Sequence, residues 1–156
     1  MVDLVKRALL KGNKKNQTQF LPWLKDPDNF IEDCTQCQKC LSVCETNIIV
    51  LGEGGFPTID FQKGECTFCY ACATTCPEPL FWDQKKTPWD QKITITQLCL
   101  ATNNVECRSC GDACEPQAIR FKLIKGQTAQ PVVIQDDCTG CGACLSYCPV
   151  NAIIIK

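Results

Sequence analysis

The sixteen cysteines fall into four groups. They are Cys34, Cys37, Cys40 and Cys44; Cys66, Cys69, Cys72 and Cys76; Cys99, Cys107, Cys110 and Cys114; and Cys138, Cys141, Cys144 and Cys148. Three groups have the spacing C-x2-C-x2-C-x3-C, and the third is stretched to C-x7-C-x2-C-x3-C. Cysteine in this density serves a disulfide framework, structural zinc or iron–sulfur clusters. Disulfides need an oxidising compartment, usually reached with a signal peptide. The N-terminus reads MVDLVKRALLKGNKKNQTQF, with its apolar run broken by Lys6, Arg7 and Lys11 and no apolar core of signal-peptide length. Nor does any segment approach the ~20 apolar residues of a membrane helix. Zinc ribbons use C-x2-C pairs separated by longer spacers, because one tetrahedral ion cannot take three closely spaced thiolates and a near fourth without strain. Three cysteines two residues apart suit a loop that wraps one face of a cubane, each thiolate reaching a different iron. Four [4Fe–4S] clusters are therefore expected, with all sixteen cysteines as ligands.

Two motifs end in Cys-Pro, at Cys76-Pro77 and Cys148-Pro149, as in the bacterial ferredoxin signature. In two-cluster ferredoxins the fourth cysteine of such a run ligates the other cluster of the pair. Crossed ligation predicts one site from Cys34, Cys37, Cys40 and Cys76, and a second from Cys66, Cys69, Cys72 and Cys44. A third would take Cys99, Cys107, Cys110 and Cys148, and a fourth Cys138, Cys141, Cys144 and Cys114. A regular third motif would begin at position 104, which is asparagine. Cys99 lies five residues upstream of it, and a longer loop could bring it to the same iron. The alternative is a buried free thiol at Cys99 and three clusters in place of four.

These loops need elements to hold them. After each fourth cysteine comes an apolar run: Asn47–Val50, Leu80–Trp82, Ala118–Phe121 and Ala152–Ile155. Before three of the motifs lie β-prone segments, Phe56–Phe61, Ile93–Thr96 and Pro131–Ile134, and turns are expected at Gly52–Gly55 and Lys125–Gln127. The motifs recur with a period of about 34 residues. The predicted repeat is strand, cluster loop, short helix beginning at the fourth cysteine, strand. Two repeats make a 2[4Fe–4S] module, so the fold class is α+β: tandem bacterial-ferredoxin-like repeats with a cluster-stabilised core. The expected divisions are 1–30, a basic N-terminal helix and arm; 31–84, the first module; 85–89, a polar, proline-containing linker; and 90–156, the second module. So small a core would depend on metal binding to fold.

Segment 1–30 carries Lys6, Arg7, Lys11, Lys14 and Lys15, then Phe20-Leu21-Pro22-Trp23-Leu24. Phe20 and Trp23 read either as an arm packed on the core or as anchors for a partner. Phe68 and Tyr70, set between cysteines, would shield a cluster from water. The formal net charge of −1 gives no reason to expect nucleic acid. Histidine is absent, and no G-x-x-x-x-G-K-[ST] or G-x-G-x-x-G loop occurs, so no enzymatic activity is expected. The carboxylates of Glu32, Asp33, Asp136 and Asp137 flank the motifs and read as loop caps.

The segments GGFPTIDF (54–61), ECTFCYACATTCPEPLF (65–81), CLATNNVECRSCGDACEP (99–116) and CTGCGACLSYCPVNAI (138–153) closely resemble the NapF family. Its members are ferredoxin-type proteins of the periplasmic nitrate reductase system. The resemblance covers about residues 30–156, including the stretched third motif. It implies a cytoplasmic protein that binds the precursor of the catalytic subunit of periplasmic nitrate reductase. The implied role is assistance in assembling or reducing the cofactors of that subunit before export. The alternative is a polyferredoxin that relays electrons to an oxidoreductase.

Overall fold

A computed structural model describes residues 19–156. The expected basic helix with Lys6, Arg7, Lys11, Lys14 and Lys15 lies outside the described residues. Among the described residues six short strands pair into three antiparallel ribbons. Strand β1 (Ile49–Leu51) pairs with β2 (Pro57–Ile59), Ile49 facing Ile59. Strand β3 (Ile93–Ile95) pairs with the C-terminal β6 (Ile153–Ile155), and β4 (Ile119–Lys122) with β5 (Gln130–Val133). β-Branched side chains fill these ribbons and alternate in exposure. Ile153 and Ile155 are buried, whereas Ile154 between them is exposed. The hairpin turns fall where glycine permits positive φ, at Gly54 and Gly55 in the first and at Gly126 in the second.

The expected strand at Leu80–Trp82 is reduced to one antiparallel bridge, Phe81 to Leu24. Its partner is the N-terminal arm. The Lys25 N–H donates to the Leu80 carbonyl at 2.9 Å and the Trp82 N–H to the Trp23 carbonyl at 2.7 Å. Leu21 and Trp23 are buried, so the arm completes the first module much as β3 completes the second against β6. Trp23 is thereby committed to the core, and Phe20 stays at the surface.

Among the described residues the α-helices are single turns: α1 (Phe30–Asp33), α2 (Lys39–Ser42), α3 (Ala71–Thr74), α4 (Ser109–Asp112) and α5 (Ala143–Ser146). The last four each contain the third cysteine of a motif and end just before the fourth. A helix beginning at the fourth cysteine was expected, so the turn sits about one turn earlier than the sequence suggests. The cause is local. A left-handed residue stands immediately before three of these helices, at Gln38, Tyr70 and Gly142, and swings the loop into helical φ,ψ. Helix α2 packs on α3, and α4 on α5. One apolar core runs through both halves, from Leu21, Phe30, Ile48, Ile49 and Phe61 to Ile93, Ile119, Ile153 and Ile155. Cys72, Cys138 and Cys144 are part of it.

Candidate iron–sulfur cluster sites

The helix pairs and ribbons leave four cavities, each ringed by four cysteines. The first is lined by Cys34, Cys37, Cys40 and Cys76, against Leu21, Phe30 and Phe81. The second takes Cys44, Cys66, Cys69 and Cys72, against Trp23, Ile48 and Phe68. The third takes Cys99, Cys107, Cys110 and Cys148, against Ile95, Phe121 and Ile153. The fourth takes Cys114, Cys138, Cys141 and Cys144, against Ile93 and Ala118. Counting their open mouths, the cavities enclose about 370, 380, 350 and 310 Å³. In every case three cysteines come from one motif and the last from the other motif of the module. The fourth cysteine follows its helix and crosses to the neighbouring cavity because α2 and α3, and likewise α4 and α5, lie side by side.

Cys99 is buried on the third cavity. A 3-10 turn at Ala101–Asn103 folds the stretched loop back. The Cys99 carbonyl accepts from the Thr102 hydroxyl and the Asn103 amide, both at 2.8 Å. Thr128 and Gln130 donate to the Ala101 carbonyl and fasten that turn to β5.

The loops between ligands are built from left-handed backbone. In the fourth motif these positions are Gly140 and Gly142, which the sequence signals openly. At the same offsets the first motif places Gln36 and Gln38, and the second Phe68 and Tyr70, all with φ between 54° and 66°. Left-handed backbone is rare for such residues and concentrates where structure over-determines it. Successive residues of this kind turn peptide N–H groups toward a common concavity that favours negative charge. The third motif departs here too, since Arg108 before α4 has φ −133°. Asn47, Gln117 and Asn151, each three residues after a fourth cysteine, are left-handed as well. They bring the following N–H back onto the sulfur, with Ala118 donating to Cys114 Sγ at 3.3 Å and Ala152 to Cys148 Sγ at 3.2 Å.

Burial pushes the thiols of Cys40, Cys66 and Cys110 up to about 11, and those of Cys72 and Cys144 up to about 12, with neighbouring cysteines acting in the same direction. The Lys39 N–H leads the groups that lower Cys37. At Cys44, burial acts upward, but N–H groups of Ile49, Ile48 and Thr46 and the Thr46 hydroxyl together outweigh it. Four sulfurs crowded round a largely apolar space are a poor home for free thiolates and a good one for a positively charged inorganic core. In each cavity the four cysteines surround a space rather than a point, which fits a polynuclear cluster.

Aromatic rings close the second site. Phe68 and Tyr70 meet the Trp23 ring edge-on at 6.2 and 5.0 Å, Phe68 also meets Trp89 at 5.6 Å, and the Tyr70 hydroxyl donates to the Trp82 carbonyl at 2.6 Å. Cys37 and Cys69 are exposed, so the first two sites each have a ligand-type sulfur near solvent. In the second half Cys99, Cys138 and Cys144 are buried.

Residues 33–79 and 105–152 match the family of 4Fe-4S dicluster domains. Cys99 lies ahead of the second matched segment. The chain is 43% identical over 154 residues to the ferredoxin-type protein NapF of Escherichia coli K12, covering 97% of this chain and 94% of the relative. It is 52% identical to the ferredoxin-type protein NapF of Haemophilus influenzae over 99% of this chain and 94% of the relative. A more distant relative, at 28% identity over 85% of this chain and 66% of its own length, is the methylamine utilization ferredoxin-type protein MauM of Methylophilus methylotrophus. Sixteen cysteines in two tandem dicluster domains fit four [4Fe–4S] clusters.

Proposed function

The chain belongs to the NapF family of ferredoxin-type proteins, and from that premise we propose that it is an iron–sulfur accessory protein of the periplasmic nitrate reductase system. In this reading it works in the cytoplasm, binds the precursor of the catalytic subunit, and assists assembly or reduction of its cofactor centres before export. The iron–sulfur part rests on one observation: four cavities, each with four cysteines in the crossed arrangement. The ligand sets are then Cys34, Cys37, Cys40 and Cys76; Cys66, Cys69, Cys72 and Cys44; Cys99, Cys107, Cys110 and Cys148; and Cys138, Cys141, Cys144 and Cys114. When bound, such clusters supply one-electron transfer at potentials set by hydrogen bonds to sulfur and by exposure. The chain's own residues set those terms. Ala118 and Ala152 donate to ligand sulfurs, Trp23, Phe68 and Tyr70 cover one side of the second site, and exposed Cys37 and Cys69 bring the first two sites within reach of an approaching protein.

All sixteen cysteines are used as ligands in this reading, and the chain has no histidine, so binding and electron supply are its role and not catalysis. No helix among the described residues is long and apolar enough to cross a membrane. The test is capture with the tagged protein from anaerobic cytoplasm of nitrate-respiring cells. Recovery of the unexported catalytic-subunit precursor supports the accessory role. Recovery of a quinol-oxidising complex without that precursor refutes it and supports the alternative, a polyferredoxin relay. The core is cluster-stabilised in either case, and stripping iron with a chelator under reducing conditions should abolish the far-UV signal of folded structure.

A further inference from the structure

The two modules meet at their second and fourth motifs. The Cys66 N–H donates to the Cys141 carbonyl at 2.8 Å, joining a loop of the second site to a loop of the fourth. Gly142 lies so close to Phe61 that a Cβ there would clash with the ring. Trp89 packs edge-on against Phe61 at 6.1 Å and Phe68 at 5.6 Å, and its indole N–H donates to the Thr139 carbonyl at 2.9 Å. The Gln91 side-chain amide donates to the Gly140 carbonyl at 3.1 Å. The Cys66–Cys141, Phe61–Gly142 and Trp89 contacts bind the region around motif two to the loop of motif four, whereas Gln91 fastens the start of the second module to that same loop. Inside each module the sites adjoin through the paired helices, α2 with α3 carrying Cys40 and Cys72, and α4 with α5 carrying Cys110 and Cys144.

We infer that the second and fourth cluster sites adjoin across the module interface, so that the four sites form one continuous series in the order first, second, fourth, third. Sequence order would put the third motif next to the second. The fold places the fourth there instead, because β6 returns to pair with β3 and leaves the loop of the fourth motif facing Phe61 and Cys66. The ends of the series are then the first site, with exposed Cys37, and the third, with buried Cys99. With clusters bound by these residues, the series would let one electron from a low-potential protein donor, taken up at the first site, reach the third by way of the second and the fourth, each hop oxidising one site and reducing the next with no proton or bond change. Trp89 is a positioning residue in this series, holding the two central loops together.

This inference rests on the ligand sets proposed above, and its test separates the two. The full chain carrying Cys34→Ala, Cys37→Ala, Cys107→Ala and Cys110→Ala keeps only the second and fourth sites, which lie in different modules. Prepared anaerobically and reduced, it should hold about eight irons. Its EPR spectrum should show interaction broadening between two paramagnetic centres. The complementary variant, Cys69→Ala, Cys72→Ala, Cys141→Ala and Cys144→Ala, should show two isolated signals. Isolated signals from the first variant at eight irons overturn the series and leave the ligand sets standing. If the multiple variants fail to assemble, Trp89→Ala in the sixteen-cysteine protein decides. Retained iron with reduced inter-centre broadening supports the series, and an unchanged spectrum overturns it. Iron near zero in the unaltered protein overturns the ligand sets themselves.

Discussion

Trp23 separates two uses of the N-terminal arm, as core or as partner anchor. Its side chain is 3% exposed, its indole N–H donates to the Lys86 carbonyl at 2.8 Å, and its ring meets Phe68 and Tyr70 edge-on. Truncating a buried tryptophan to alanine costs ~3–5 kcal/mol, lost transfer energy and residual cavity together. The two edge-on pairs, at ~0.5–1.5 kcal/mol each, place Trp23→Ala toward the upper part of that range. The hydrogen bond adds little, because exposed Lys86 can offer its carbonyl to water. Strain at Trp23, whose φ is 61°, is common to both side chains and cancels. The expected apparent loss is about 4 kcal/mol, a large part of the ~5–15 kcal/mol that stabilises a typical domain. With a urea slope of ~1–3 kcal/mol per molar, the anaerobic unfolding midpoint should fall by roughly 1–4 M, followed by circular dichroism and visible absorption together. Trp23→Phe keeps most of the ring and should recover most of the loss. A Trp23→Ala midpoint equal to that of the parent, with weaker capture of a partner, would show that the arm serves docking and that its burial does not stabilise the fold.

Cys99→Ala should lower iron from about sixteen to about twelve per chain and leave the other three sites intact. An unchanged count means that the stretched loop contributes no ligand. Gly142→Ala faces both a positive φ of 84° and the Phe61 ring, whereas Gly126→Ala, at φ 79°, meets nothing within 4 Å. The first should cost on the order of 3 kcal/mol and the second about 1 kcal/mol, so that their difference in thermal or urea midpoint isolates the inter-module clash. Gln38→Gly should raise stability by ~0.5–1 kcal/mol with iron unchanged, since glycine relieves left-handed strain that exceeds its entropic cost. A fall in midpoint there would mean that the glutamine side chain makes a contact worth more than the strain.

The cysteine spacing carried the cluster sites to the surface of the sequence because a cubane imposes its own geometry on any chain that holds it. The placing of Cys44 and Cys76, and of Cys114 and Cys148, on the neighbouring cavities goes with two helical turns packed side by side, and the sequence suggested it only through the ferredoxin rule for the fourth cysteine. Hairpins were legible at Gly52–Gly55 and Gly126 because glycine marks positive φ locally. The same backbone at Gln36, Gln38, Phe68 and Tyr70 was not, since nothing in those side chains favours it. Only their registration with Gly140 and Gly142 could have revealed it. The pairing of Leu24 with Phe81 escaped for a different reason. A single bridge formed between segments more than fifty residues apart leaves no alternating pattern in either. The module interface is the extreme case. Phe61 reads as the end of a strand but falls in a turn two residues past β2, and Gly142 reads as a cluster-loop glycine. Gly142 therefore meets two demands at once, a left-handed turn between ligands and a surface flat enough for an aromatic ring. The second demand comes from the other half of the molecule, where periodicity and spacing carry no information.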